Sequence, residues 1–157
     1  MAVEPIPQGM GGPIPSLSID GAAAAIDFYT RALGARERGR MDAPGGKVAH
    51  ALLEIGDSFV MLADAFPQAS GRPPTELGAT SVSIFLYVDD VDAVVQRAVD
   101  AGATVTVPVD DMFWGDRFGQ ITDPFGHQWQ VATHTEDVPP EEMAERAKQA
   151  MASMSSQ

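Results

Sequence analysis

The chain has 157 residues, with 10 Lys and Arg against 22 Asp and Glu, a formal charge of −12, no cysteine and 45% hydrophobic residues. It is long enough for one domain or two small modules, its charge repels nucleic-acid backbones, and it offers no thiolate for a disulfide, a nucleophile or a zinc site. Glu4 and several early prolines stand where a signal peptide would carry basic residues and an apolar stretch, so a cytoplasmic protein with no membrane or nucleic-acid partner is expected.

Residues 1–13 are rich in Pro and Gly and form an arm, either flexible or docked on something else. Ile14 to Ile19 alternates as a strand. Asp20 is then expected to cap a helix running to about Leu33, with Gly34 at its C-terminal end. A basic stretch around Arg36, Arg38 and Arg40 reads as a turn, followed by the loop Pro44-Gly45-Gly46. Val48–Ile55 and Ser58–Ala63 form a hairpin about Gly56-Asp57. Residues 14–64 make the first module, and 65–81, with Gly71, Pro73, Pro74 and Gly78, are a linker.

The order then recurs over residues 82–134. Val82–Val88 is a strand, Asp89 or Asp90 caps a helix to about Ala101, Gly102 ends it, and Thr104–Val107 extends. A second hairpin, Arg117–Thr122 with His127–Thr133, turns through Asp123-Pro124-Phe125-Gly126. Asp89 follows Asp20 by 69 positions and Gly102 follows Gly34 by 68, the mark of an internal repeat of βαβββ modules. Residues 135–157 are an acidic tail whose Met143, Ala147, Ala150, Met151 and Met154 place one apolar stripe on a helix.

Alternation sorts the strand residues by face. Ser83, Phe85 and Tyr87 oppose Val82, Ile84, Leu86 and Val88, and Gln128, Gln130 and Ala132 oppose Trp129 and Val131. Pairing Thr122 with His127 would put Arg117 on the glutamine face. In the first module a two-residue turn groups His50, Leu52, Glu54, Phe59 and Met61, and along the first strand Ile14, Ser16 and Ser18 face away from Leu17 and Ile19. Two sheets backed by helices, with mixed polar and apolar fronts, can close as a cup around a small-molecule ligand.

Three motifs carry a likeness: Ile26-Asp27-Phe28-Tyr29 through Leu33-Gly34, Tyr87-Val88-Asp89-Asp90 with Ala101-Gly102-Ala103, and Asp123-Pro124-Phe125-Gly126-His127. In this order on a duplicated βαβββ frame they resemble the vicinal oxygen chelate superfamily, which includes glyoxalase I, bleomycin-resistance proteins, fosfomycin-resistance enzymes and extradiol dioxygenases. Trp114 to Gly119 with Asp123 to Trp129 looks more narrowly like its PhnB-like subgroup. The resemblance implies an α+β fold of two βαβββ modules in a cup-shaped mixed sheet, followed here by a C-terminal helix, and a homodimer.

In metal-dependent members of the superfamily four ligands sit at positions that fall here on Ile14, Met61, Ser83 and Gln130. Ile and Met supply no hard donor, and Ser and Gln are weak neutral ones, so no metal and no other cofactor is expected. The ligand-binding set expected from face and motif is Ile14, His50, Met61, Ser83, Phe85, Tyr87, Trp114, Arg117, Gln128 and Gln130. His50 and Arg117 are the candidates for acid/base and anion-anchoring roles in an enzyme. Arg117 either pairs with an acid such as Glu54 or Asp116 or waits for an anionic ligand. Two functions stay open: a metal-independent binding protein for a small organic molecule, and a lyase, isomerase or dioxygenase-like enzyme.

Overall fold

The computed structural model describes residues 3–69 and 71–155; Met1, Ala2, Ser70, Ser156 and Gln157, at the ends of the arm and tail and within the linker, lie outside the described residues. Two units result, residues 3–81 with Pro124–His127, and Val82–Asp123 with the chain from Gln128 onward. Each holds a four-stranded mixed sheet backed by a helix, an α+β arrangement.

In the first unit the elements are β1 (Ser16–Ile19), α1 (Ala22–Leu33), β2 (Arg36–Ala43), β3 (Lys47–Ile55), β4 (Ser58–Asp64) and the single turn α2 (Pro74–Leu77), in sheet order β1-β4-β3-β2. The β1–β4 pair is parallel and the others antiparallel. Leu17, Ile19, Ala51, Leu53, Val60 and Leu62 are buried on the side of α1, whose own Ala25, Ile26, Phe28, Tyr29 and Leu33 meet them. Burial of each large side chain contributes about 1.5–3 kcal/mol. Phe125, from the Pro124–His127 turn counted with this unit, sets its ring 6.3 Å from Phe28 and 6.5 Å from Tyr29.

The start of α1 differs from the sequence expectation. The N-cap is Gly21, at φ 93°, and Asp20 does not cap it. Asp64, at the end of β4, supplies the carboxylate: Oδ1 accepts the Gly21 and Ala22 N–H groups at 3.1 Å each, and Oδ2 accepts Val48 N–H at 2.7 Å. Burial raises the Asp64 pKa, but the three backbone donors outweigh it and hold the carboxyl below its usual range. One side chain thus ties two strands to a helix.

The basic stretch expected as a turn is the edge strand β2. All of Arg36 to Asp42 is exposed, so no apolar alternation announces it, and two register shifts interrupt its pairing with β3.

The second unit contains β5 (Ser83–Tyr87), α3 (Val91–Asp100), β6 (Thr104–Asp111), β7 (Asp116–Thr122), β8 (Gln128–His134) and α4 (Pro140–Met154), with sheet order β5-β8-β7-β6. Asp90 caps α3, accepting Ala93 N–H at 3.0 Å. Trp129, Val131 and Ile121 are buried on the same side as Val91, Val94 and Ala98 of α3. Val82, expected within the strand, lies outside β5 and is 64% exposed. None of the α4 side chains is fully buried; Met143, Ala147 and Ala150 are half-buried, while Met151 and Met154 are exposed. Among the described residues no helix is long and apolar enough to cross a membrane.

The repeat is written in the strand registers. Ser16 pairs with Met61 and Phe85 with Gln130, and 85 − 16 and 130 − 61 are both 69. The antiparallel hairpins are less alike. Leu52 pairs with Met61, as the two-residue Gly56-Asp57 turn demands, but Met61's counterpart Gln130 pairs with Gln120, and 120 − 52 is 68. The second turn therefore holds five residues, Asp123 to His127, with Thr122 opposite Gln128.

Candidate functional site

That one residue decides which side chains share a face, because a shift of one reverses every side chain of a strand. With Thr122 opposite Gln128, Arg117 lies opposite Thr133 and falls on the helix-backed side. There its guanidinium donates to Asp92 of α3 at 2.6 and 2.9 Å and to Asp111 at 3.2 Å. The placement of Arg117 on the glutamine face, and its pairing with Glu54 or Asp116, are corrected accordingly. Phe118 and Gln120 take its place, and the face carries Ser83, Phe85 and Tyr87 from β5, Gln128 and Gln130 from β8, and Asp116, Phe118 and Gln120 from β7.

One half of this face is aromatic. Phe85 packs 5.0 Å from Tyr87 and stacks at 6.1 Å on Phe118, which meets the Trp114 ring edge-on at 5.8 Å. Phe113 stands 5.1 Å beyond Trp114. Phe85 is 44% exposed and Tyr87 59%, so these rings are a surface and not core.

Asp116 holds this half together. It is 3% exposed; Oδ2 accepts Tyr87 O–H at 2.9 Å and Trp114 Nε1–H at 3.0 Å, and Oδ1 accepts His134 Nδ1–H at 2.8 Å. Burial raises its pKa, and the His134, Tyr87 and Trp114 hydrogen bonds more than reverse this, leaving the carboxyl below its usual range. The hydrogen bond to Asp116 pushes the Tyr87 phenol pKa up. His134 Nε2 also lies 2.9 Å from Asp137 Oδ1, and the contacts with Asp116 and then Asp137 raise its pKa. The imidazolium form donates to both carboxylates, whereas a neutral ring donates to one.

The turn bearing Phe113 and Trp114 is fixed from behind. Gly115 has φ 97°, and its carbonyl accepts Thr135 and Glu136 N–H at 2.9 and 3.0 Å. A Cβ there would lie 2.2 Å from the Glu136 carbonyl oxygen. Arg146 of α4 spans Glu136 at 2.7 and 2.8 Å and reaches Phe113 O at 3.4 Å.

The other half carries amides. Gln130 Nε2 donates to Gln120 Oε1 at 3.2 Å, Gln120 Nε2 to Thr106 Oγ1 at 3.1 Å, and Ser83 Oγ to Gln128 Oε1 at 3.1 Å.

In the first unit His50, Leu52, Glu54, Phe59 and Met61 share a face as expected, and His50 is exposed opposite Met41 of β2. Glu54 is engaged by Arg36, at 2.9 Å, and by Arg38, whose hydrogen bond is the main cause of its lowered pKa. Ile14 precedes β1, two residues before its first position. The arm packs locally: a Cβ on Gly9 would lie 3.5 Å from the Phe59 ring. A pocket of about 390 Å³ elsewhere in this unit is lined by Lys47, Asp64, Pro73, Thr75 and Glu76 among others, but Asp64 is already bound by three N–H groups.

The four positions that the resemblance assigns to metal ligands do not fit a divalent ion: Ile14 has no donor, Met61 a thioether, and Ser83 and Gln130 neutral oxygens of which only the glutamine carbonyl is a fair ligand. Among the described residues, no three His, Asp or Glu side chains gather as a ligand set. The structure thus brings Ser83, Phe85, Tyr87, Trp114, Gln128 and Gln130 to one surface, and removes Arg117 from it. Asp116, Phe118, Gln120 and His134 are site residues that sequence alone does not single out; the first three reach this face, and Asp116 comes opposite His134, because the turn holds five residues, a length its composition does not signal.

A model of the Glyoxalase/Bleomycin resistance protein/Dioxygenase superfamily matches residues 15–131. An uncharacterized protein of Mycobacterium bovis is 50% identical over 127 residues, covering 79% of this chain and 84% of its own. Among solved structures, a gene product of Arabidopsis thaliana superposes with a TM-score of 0.63 at 29% identity, over 77% of this chain and 97% of that one. TioX from Micromonospora sp. ML1 superposes with a TM-score of 0.61 at 26% identity, over 82% and 100%.

Proposed function

Because the chain belongs to the glyoxalase/bleomycin-resistance/dioxygenase superfamily, we propose that it works as a binding protein for a small organic molecule, seated on the β5–β8–β7 face without the superfamily's usual metal ligands. The observation that carries this reading is the exposure of Phe85 and Tyr87 beside Phe118 and Trp114, on a face whose buried carboxylate orders the rings instead of the core. Exposed rings lose water favourably to a flat ligand, and Asp116 has already fixed two of them in place. The motif runs Trp114–Gly119 and Asp123–Trp129 favour the PhnB-like subgroup. A cytoplasmic homodimer, with no nucleic-acid or membrane partner, completes the proposal.

A calorimetric and thermal-shift screen of planar organic compounds tests it. Compounds that raise the melting temperature of the parent chain and lose that effect in Phe85→Ala and Tyr87→Ala are expected. Retention of every hit in both variants would refute the site.

A second reading has one observation in its favour. His134, oriented through Nδ1 by buried Asp116, has the arrangement of an acid/base histidine, and its Nε2 partner Asp137 is fully exposed and easily displaced. An enzyme built here would use His134 and not the pair His50 and Arg117. A turnover abolished by His134→Gln, with ligand binding retained, would select it.

A further inference from the structure

We infer that the ligand is an uncharged planar ring system bearing a lactam, imide or carboxamide edge, laid flat against Phe85 and Phe118 with that edge on Gln130. This rests on the reading that the β5–β8–β7 face binds a small organic molecule, and it says which kind.

Asp116 and His134, beside the aromatic half, are already engaged. Asp116 receives three donors on its two oxygens, and both His134 ring nitrogens already face carboxylate oxygens, of Asp116 and Asp137. Arg117, the cation expected here, sits on the opposite side against Asp92 and Asp111. Asp110, on the edge strand opposite Phe118, is exposed and accepts Asp111 N–H. An anionic ligand on the rings would shed water with no free cation to meet, and a cationic one would meet only Asp110, on the exposed edge strand where solvent screens the pair. The chain's net −12 acts over distances that salt screens within about 10 Å, so it biases encounter more than it selects the bound species.

The amide half supplies what a neutral polar ring needs. Phe85, Gln130 and Gln120 occupy one row across β5, β8 and β7, so the rings and the amides are adjacent by register. Gln120 is engaged at both ends, accepting from Gln130 and donating to Thr106, which fixes its orientation. That bond leaves Gln130 with its Oε1 and one N–H unused, an acceptor and a donor on the same amide. A cis-amide edge presents the complementary acceptor and donor, and forms a cyclic pair of hydrogen bonds with no ionic partner. One row down, Ser83 occupies Gln128 Oε1 and leaves the Gln128 NH₂ as a further donor.

Four matched probes test the inference by calorimetry on the full chain: quinolin-2-one, its N-methyl derivative, N-methylquinolinium and 2-naphthoate. The expected result is that quinolin-2-one binds at least tenfold more tightly than the other three. Gln130→Leu and, independently, Gln120→Leu remove that preference, bringing quinolin-2-one down to the affinity of its N-methyl derivative, and Phe85→Ala weakens all four. Equal or tighter binding of the cation or the anion, or a preference that survives both glutamine variants, overturns the lactam assignment while ring binding that depends on Phe85 leaves the binding site standing. Absence of binding by all four probes overturns both.

Discussion

Oδ1 of Asp116 and Nδ1 of His134 lie 2.8 Å apart, from directly opposed positions of β7 and β8. The pair gives stability a defined pH dependence. His134 has a raised pKa in the fold, so its contribution is complete below its unfolded value near 6.5 and fades as the pH rises through the elevated folded value. Asp116 has a lowered pKa, so its contribution is complete above about 3.9 and fades as the pH falls through the depressed value. The stability difference between the parent chain and His134→Gln, measured by urea unfolding, is therefore expected to be largest between about pH 4 and 6.5 and to shrink above that window.

Asp116→Asn keeps the shape and removes the acceptor that three donors share. An amide NH₂ then faces at least one of Tyr87, Trp114 and His134, and a loss of about 1–3 kcal/mol is expected from urea unfolding. The two tryptophans respond unequally: Trp114 loses its partner, whereas buried Trp129 keeps its bond to Asp123, so a partial red shift of emission accompanies the substitution.

Much of the frame is legible before any coordinates exist. The repeat, the cap at Gly34, an N-cap at Asp89 or Asp90 and the first hairpin register all follow from spacing and turn chemistry, and the structure selects Asp90. Three features were illegible for physical reasons. An exposed edge strand such as β2 buries nothing and leaves no pattern. Asp64 caps α1 from a strand 42 positions away, a contact that local sequence does not encode. A turn of five residues has the same composition as one of four, yet moves Arg117 to the far side of the sheet and brings Asp116, Phe118 and Gln120 forward. The Asp116–His134 pairing becomes visible only once that register is known.

The capping correction has a direct check. Asp64→Ala strands three N–H groups of Gly21, Ala22 and Val48, and a loss on the order of 3 kcal/mol is expected. Asp20→Ala, which removes the residue sequence alone would choose as the cap, is expected to change stability by no more than about 0.5 kcal/mol. The reverse ranking in thermal or urea unfolding would contradict the assignment.

Gly115 separates close backbone approach from ordinary turn preference. An added Cβ meets the Glu136 carbonyl at 2.2 Å on a backbone at φ 97°, so Gly115→Ala is expected to cost on the order of 3–4 kcal/mol and to disorder the Phe113–Trp114 turn. Gly119→Ala meets Val109 Cγ2 at 2.8 Å, the end of a side chain that can shift, and is expected to cost less. Near-ultraviolet circular dichroism and unfolding curves read both effects.

Register and function meet in Arg117. Since it lies behind the sheet with Asp92 and Asp111, Arg117→Met is expected to leave ligand affinity within about twofold, the range of ordinary surface substitutions. Gln120→Leu, on the same strand but the opposite face, is expected to weaken binding of a lactam-bearing ring.

Amide and aromatic chemical-shift mapping with quinolin-2-one tests whether the ligand sits on one face of the second sheet. Perturbations are expected to centre on Phe85, Tyr87, Trp114, Phe118, Gln120 and Gln130. Perturbations centred instead on the first unit's Lys47–Asp64 pocket, or around Arg117 behind the sheet, would contradict that placement.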